Sequence, residues 1–324
     1  MKDITISRRS LLVSAGLLAL APLAGCGGNS GSGSAAAGSD YTIGVLQLTE
    51  HSALDAANDG FVKAIKESGL KVKIDQKNAQ NDQSTCKSIA DKFVGDGVDL
   101  IYAIATPAAQ AAATADIPIV GCAITDYAAS GLVQDNDKPG TNVTGASDLT
   151  PVAEQLEMMQ KVLPDVKKVG LLYCTAESNS DVQIKAAKKE LDKLGIEYTD
   201  FTVSSSNEIQ SVVESAVGKV DALYSPTDNT IAAGASQVGQ ICKENKLPFV
   251  TGEEGMCKAG GLFTLSINYE DLGYAAGEMA VKILKGEAKP EDMAIKHLSS
   301  KDLVIVKNDE MAEALGIDLS ALDE

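Results

Sequence analysis

The chain has 324 residues, 44% of them hydrophobic and 4% aromatic, and 28 Lys and Arg stand against 45 Asp and Glu for a net charge of −17. That length accommodates two domains of ordinary size, each with its own core; so acidic a body repels nucleic acid, which excludes a DNA-binding regulator. Arg8 and Arg9 are the only arginines, so any carboxylate bound further along must be held by backbone N–H groups, hydroxyls, amides or lysine rather than a bidentate guanidinium.

The N-terminus reads as a targeting segment. Lys2, Arg8 and Arg9 precede an apolar run from Leu11 to Leu20, the layout of an export signal over residues 1–25. The run is too short to persist as a spanning helix. Leu23-Ala24-Gly25-Cys26 resembles the lipobox of bacterial lipoproteins, which implies lipidation at Cys26 and anchoring on the outer face of the bacterial cytoplasmic membrane. Ser7-Arg8-Arg9-Ser10-Leu11-Leu12 resembles a twin-arginine signal as well, and the export route, Sec or Tat, stays open. Residues 26–40 are mostly Gly, Ser and Ala without periodicity, the composition of a flexible tether.

From Tyr41 the pattern alternates. Strands are expected at Tyr41–Leu48, Lys71–Gln76, Asp99–Ala103 and Ile117–Ala123, with helices over Ala53–Gly69, Ser84–Gly97 and from Thr106 between them. This order specifies a parallel sheet with helices on both faces. Asn142-Val-Thr-Gly145 is read as the crossover into a second series. That series holds a helix over Pro151–Leu163 and strands at Val169–Tyr173, Glu197–Val203, Asp221–Tyr224, Pro248–Thr251 and Gly261–Ser266. A helix over Leu272–Lys285 follows a second crossover at Ile267–Tyr269, then a strand Leu298–Val306 and a helix Asp309–Leu315.

The two series echo each other. Ile43-Gly-Val-Leu46 matches Val169-Gly-Leu-Leu172, Val98-Asp-Leu-Ile-Tyr102 matches Val220-Asp-Ala-Leu-Tyr224, and Ile117-Pro-Ile-Val120 matches Leu247-Pro-Phe-Val250. Together with Phe61–Gly69 against Ile184–Gly195, these ordered matches predict an α/β protein of two doubly wound parallel-sheet lobes joined by a multi-strand hinge. The expected partition is 41–145 plus 268–290 for lobe one and 146–267 plus 291–324 for lobe two. Ligands of such sheets bind beyond the carboxyl ends of the strands, here in the cleft between lobes.

That rule selects the candidate ligand-binding residues. Asp228 and Asn229 end the strand Asp221–Tyr224 and its turn; Asp228 is a partner for a ligand ammonium and equally a helix cap. Gln47 and His51 lie beyond the first strand, and Thr106 opens a helix ahead of Pro107. Asp126 follows the strand Ile117–Ala123, and Glu253 stands in the corresponding place of the second series. Ser147 and Asp148 lie past the first crossover, and Ser178 and Asn179 mirror Thr49–His51. Tyr127, Tyr173, Phe263 and Tyr269 are candidate rings for an apolar ligand group. No GxSxG, HExxH, CxxC or glycine-rich phosphate loop is present, so no catalytic residue, metal site or cofactor is assigned. The five cysteines beyond Cys26 fit small buried residues, with room for one bridge that spacing does not define.

Gly44-Val-Leu-Gln47, His51-x-Ala-Leu-Asp55, Ile104-Ala-Thr-Pro-Ala-Ala-Gln110, Ala123-Ile-Thr-Asp126, Asn142-Val-Thr-Gly145, Pro226-Thr-Asp-Asn-Thr-Ile231 and Asp271-Leu-Gly273 resemble the ABC-transporter substrate-binding proteins that include tryptophan- and tyrosine-binding lipoproteins. The resemblance spans about Tyr41 to Gly286. It implies a type I periplasmic-binding-protein fold, a monomer that binds an amino acid, often aromatic, and delivery to a membrane permease and its ATPase. A nucleoside or a signalling role is the alternative. Tyr127 stands where relatives tend to carry proline, and a ring at the cleft edge would alter side-chain selectivity.

Overall fold

The computed structural model describes residues 40–323; the expected export signal, Cys26 and nearly all of the tether lie outside the described residues. The chain starts with β1 (Tyr41–Gln47), α1 (Ser52–Glu67), β2 (Val72–Asn78), α2 (Gln83–Asp96), β3 (Leu100–Ile104), α3 (Thr106–Ala112), β4 (Ile119–Ile124) and β5 (Val143–Ser147). It continues with α4 (Val152–Val162), β6 (Lys168–Cys174), α5 (Ser178–Leu194), β7 (Glu197–Val203), α6 (Ile209–Ala216), β8 (Ala222–Ser225), α7 (Asn229–Ala233), α8 (Ala235–Glu244), β9 (Phe249–Thr251), α9 (Glu254–Gly260) and β10 (Phe263–Ile267). Then come α10 (Tyr269–Leu284), β11 (Lys296–His297), β12 (Leu303–Lys307) and α11 (Asp309–Leu315).

Lobe one carries a sheet in the order β2-β1-β3-β4-β5-β11, and lobe two one in the order β7-β6-β8-β9. Every pairing in these two sheets is parallel. The strand β3, Leu-Ile-Tyr-Ala-Ile, is buried along its whole length, as is β4; continuous apolar runs are what a sheet covered on both faces requires. The shared order β2-β1-β3-β4 and β7-β6-β8-β9 gives the internal echo a structural basis. In each lobe the aspartate of the matched Val-Asp pair does the same work: Asp99 accepts from the backbone N–H of Thr42, and Asp221 from those of Lys167 and Lys168. The order reverses at β1/β3 and at β6/β8, so both switch points open toward one cleft.

The chain passes between lobes three times, after β5, between β10 and α10, and between β11 and β12. Two boundaries differ from expectation. Asn142–Gly145 is no crossover but most of β5, which pairs with β4 to Ser147. Residues 291–297 stay with lobe one instead of passing to lobe two: Ile295 enters that lobe's core, Thr144 Oγ1 donates to the Met293 carbonyl, and β11 pairs with β5. The strand expected from Leu298 begins only at Leu303 and pairs antiparallel with β10.

Helices α1 and α10 cross in lobe one at backbone contact. A Cβ added to Gly60 would lie 1.9 Å from the Glu270 carbonyl oxygen, and one on Gly273 1.9 Å from that of Ala57. Only glycine admits such an approach. Tyr102 stacks on Phe61 beneath, with ring centroids 3.7 Å apart, and donates to the Ala57 carbonyl. Cys86, Cys122, Cys174, Cys242 and Cys257 are all buried and free; they are small core residues, and no bridge forms among them. Tyr127 is not at the cleft edge. It lies fully buried beneath β4 and β5, against Gly121 and Gly145, and donates to the Ala146 carbonyl.

Candidate functional site

The carboxyl ends of the strands of both lobes converge on one cavity. Its wall is built by His51 and Leu54 at the start of α1, Ala123 and Thr125 at the end of β4, and Asp148 at the first crossing. Asn179 of α5, Thr227, Asp228, Asn229 and Ala232 around α7, Glu253 ahead of α9, and Tyr269 at the start of α10 complete it. About 280 Å³ there is free of atoms, part of it open to solvent. Polar contacts join the lobes around it: His51 to Asn229 (3.3 Å), Asn81 to Thr230 (3.0 Å), Gln183 to Thr125 (3.2 Å) and Gln110 to Ser178 (3.4 Å). The lobes are closed on each other.

Two alanines near the cleft carry backbone strain. Ala123, on the wall, has φ +55° and forms the irregularity in the β4–β5 pairing, which turns Thr125 toward the cavity. Ala105, at the end of β3, has φ +84° and ψ 154°, a region in which a side chain costs about 1–3 kcal/mol and which concentrates at functional sites.

Of the expected ligand residues, His51, Asp148, Asn179, Asp228, Asn229 and Glu253 line the cavity; Gln47, Thr106, Asp126, Ser147 and Ser178 do not. Each absence has a cause. The Gln47 amide turns back to the Thr49 carbonyl and Asp55. Asp126 accepts from Ala129 N–H and from Asn136 in its own loop. Ser147 donates to the Thr125 carbonyl, and Ser178 is exposed outside the wall. Thr106 is buried beneath the cleft with its hydroxyl unpartnered. Among the candidate rings only Tyr269 reaches the wall; Phe263 is core of lobe two. Leu54, Ala123, Thr125, Thr227 and Ala232 are wall residues that the sequence did not single out. Leu54, Ala123, Thr125 and Thr227 sit inside the motif segments His51–Asp55, Ala123–Asp126 and Pro226–Ile231, whereas nothing marks Ala232.

Carboxylates dominate the electrostatics. No lysine is among the wall residues, and burial holds the only basic one, His51, below its usual pKa. Glu177, behind the wall, accepts from Asn229 N–H and Nδ2, from Thr230 N–H and Oγ1, and from Asn179 Nδ2. Asp228 caps α7: Oδ1 accepts from Ile231 N–H at 2.9 Å, and Oδ2 from Cys174 N–H and the Ser180 hydroxyl. Glu253 caps α9 through Gly255 and Met256 N–H. Asp148 is different. Its only partners are two hydroxyls, Tyr269 at 3.1 Å and Thr125 at 3.4 Å. Burial pushes its carboxyl up to about 6 and that of Glu253 up to about 7. Asp228 is raised by burial and then by the charge of Glu177. Among the described residues no group of three His, Cys, Asp or Glu is arranged to hold a metal ion.

These shifts set a pH dependence. The three carboxyls bind protons in the fold at pH values where the unfolded chain has lost them. Stability of the ligand-free protein therefore falls as pH rises from the ordinary carboxylate range through about 6 to 7. His51, neutral in the fold, contributes the opposite slope below pH 6.5, one group against three. The melting temperature without ligand is expected to be higher at pH 5.5 than at pH 8, and a bound cation is expected to remove most of that difference; an upward trend with pH in the ligand-free protein contradicts this electrostatic picture.

Comparison with known proteins gives a consistent result. Residues 42–321 match the family model described as ABC transporter substrate binding protein. The chain is 40% identical to the tyrosine-binding protein of Clostridioides difficile (strain R20291), over 96% of this chain and 93% of that one. It resembles the crystal structure of an ABC domain in complex with L-Trp from Streptococcus pneumoniae at TM-score 0.84 and 40% identity, covering 88% of this chain and 98% of that one. A ligand-free, open structure of a substrate-binding protein with adhesive properties from Clostridium difficile is 46% identical but overlays only at TM-score 0.65, over 86% and 95% of the two chains. The nearer sequence with the poorer overlay is the open one, in keeping with lobes that are closed here.

Proposed function

The chain belongs to the ABC transporter substrate-binding protein family, and from that premise we propose that it captures an α-amino acid with an aromatic side chain between its lobes for delivery to a membrane permease and its ATPase. The observation that carries this reading is a closed cavity walled by buried carboxylates without a lysine or arginine of its own. A buried charge is tolerable only when paired, so the missing partner is a cation on the ligand.

Asp148 is that cation's partner. Asp228 and Glu253 have N–H donors on their oxygens already, whereas Asp148 has two neutral hydroxyls. An ammonium beside Asp148 adds the charge-assisted hydrogen bonds the site lacks. The ammonium role expected of Asp228 thus passes to Asp148, and Asp228 holds α7 in place. Leu54, Ala232 and the Tyr269 ring give the apolar surface for the ligand side chain. The Thr227 hydroxyl, on the wall, is a donor for the ligand carboxylate. The chain performs binding and no chemistry of its own.

Among the described residues no helix is long and apolar enough to cross a membrane. We place the protein, as a monomer, on the outer face of the cytoplasmic membrane, held by lipid on Cys26 through the tether; Cys26→Ser is expected to move it from the membrane to the soluble fraction, and unchanged membrane retention rules the anchor out. The ligand reading is tested by melting the protein against the twenty amino acids, nucleosides and sugars. A ligand bound only by the folded state stabilises it by about 2.7 kcal/mol at a hundredfold excess over its Kd. Shifts with tyrosine or tryptophan are expected; a shift with a nucleoside or sugar alone overturns the amino-acid reading.

A further inference from the structure

Two buried acceptors on the cavity wall have no hydrogen-bond partner, His51 Nδ1 and Asn179 Oδ1. Their chemical identity is fixed by their neighbours. Asn229 Nδ2 donates to Glu177 at 2.6 Å, so its Oδ1 is the atom that faces His51 Nε2 at 3.3 Å. An amide oxygen there requires the proton on Nε2. Burial holds the ring below its usual pKa and hence neutral, which leaves the lone pair on Nδ1. Asn179 is fixed in the same way: Nδ2 donates to Glu177 at 3.0 Å and to the Thr227 carbonyl at 3.1 Å, which turns Oδ1 to the cavity. Asn179 is 3% exposed. Glu177, itself satisfied by five donors, thus orients both acceptors without touching the cavity.

These are neutral acceptors, and on the reading above, on which this step rests, the ammonium takes its place at Asp148, the wall carboxylate without an N–H donor. We infer that His51 Nδ1 and Asn179 Oδ1 read a neutral hydrogen-bond donor on the ligand's side chain, a phenol O–H or an indole N–H, and so select tyrosine and tryptophan against phenylalanine. A phenol or indole, with one hydrogen to donate, pairs one of these acceptors, and a side chain without a donor leaves both buried and unpaired. Sites built to bond a polar group reject analogues that lack it far more strongly than apolar pockets reject a change of size.

Calorimetric titration of the full chain with L-tyrosine, L-phenylalanine, L-tryptophan and 1-methyl-L-tryptophan tests this. Phenylalanine is expected to bind roughly fiftyfold or more weakly than tyrosine, and 1-methyltryptophan correspondingly more weakly than tryptophan. In His51→Phe, checked for folding by its melting transition, the tyrosine-to-phenylalanine ratio is expected to fall below about fivefold. Tyrosine and phenylalanine binding within threefold of each other in the unaltered protein overturns the inference and leaves the amino-acid reading standing. A large ratio that survives in His51→Phe overturns the assignment to His51. Failure of all four ligands to bind removes the amino-acid reading and this inference with it.

Discussion

Asp148→Asn is expected to weaken binding of the amino-acid ligand by roughly a hundredfold or more while the protein remains folded. Asp148 is 4% exposed and meets only the hydroxyls of Tyr269 and Thr125. Removing one partner of a buried, hydrogen-bonded charge pair costs about 2–5 kcal/mol, and each ~1.4 kcal/mol is tenfold in Kd. Without ligand the same change removes a buried charge that has no counter-ion, so the variant is expected to melt at or above the unaltered protein at pH 8. The contrast is Asp228→Ala. That change strips Ile231, Cys174 and Ser180 of their acceptor, and its main expected effect is a loss of about 1–2 kcal/mol of stability from the cap. Titration and melting of both variants separate the two roles. Equal affinity in Asp148→Asn contradicts the assignment.

Gly60→Ala is expected to destabilise the fold by about 3 kcal/mol or more, in the upper part of the overpacking range. The added methyl would lie 1.9 Å from the Glu270 carbonyl oxygen and 2.8 Å from Tyr274 N. Both are backbone atoms, so relief requires α1 and α10 to separate. Those helices also carry cavity residues: His51 and Leu54 lie at the start of α1, and Tyr269 opens α10. The substitution is therefore expected to weaken ligand binding as well, through displacement rather than lost contact. Gly69→Ala is the control for a glycine at a helix end, where nothing lies within 4 Å of the added carbon but φ is +73°; strain there affects stability and leaves the cavity unaltered. A Gly60→Ala protein that unfolds at the unaltered urea midpoint contradicts the close crossing.

The two-lobe fold is legible because its determinants are local. Apolar runs such as Leu100–Ile104 and Val169–Leu172 fill strands covered on both faces, and their repeated order mirrors the repeated sheet order. The misplaced boundaries lie where tertiary pairing decides. Asn142–Gly145 is β-branched and Gly-rich and reads as a passage out of the first series, yet β4 and the Met293 carbonyl hold it in the sheet. Lys296–His297 carries no strand signal and pairs because Ile295 is drawn into the core of lobe one.

The site is legible in outline only. Strand-end position selected His51, Asp148, Asn179, Asp228, Asn229 and Glu253. It does not say which carboxylate is free, because that depends on donors far along the chain: Cys174 and Ser180 for Asp228, Tyr269 for Asp148. Glu177 illustrates the same limit. Its sequence setting is that of a loop acid before a helix, yet it is 3% exposed and orients both Asn179 and Asn229. Ala105 and Ala123 offer no signal at all, since alanine is not the residue that positive φ favours.

The most direct measurement of the central claim, that the wall carboxylates read a cation on the ligand, is calorimetric titration of the full chain at pH 7 with L-tyrosine and L-tryptophan against their desamino analogues. The analogues retain ring and carboxylate and lack only the ammonium. Binding of the amino acids with a loss of roughly a hundredfold or more in the analogues is the predicted result; analogues that bind as tightly as the amino acids would contradict it.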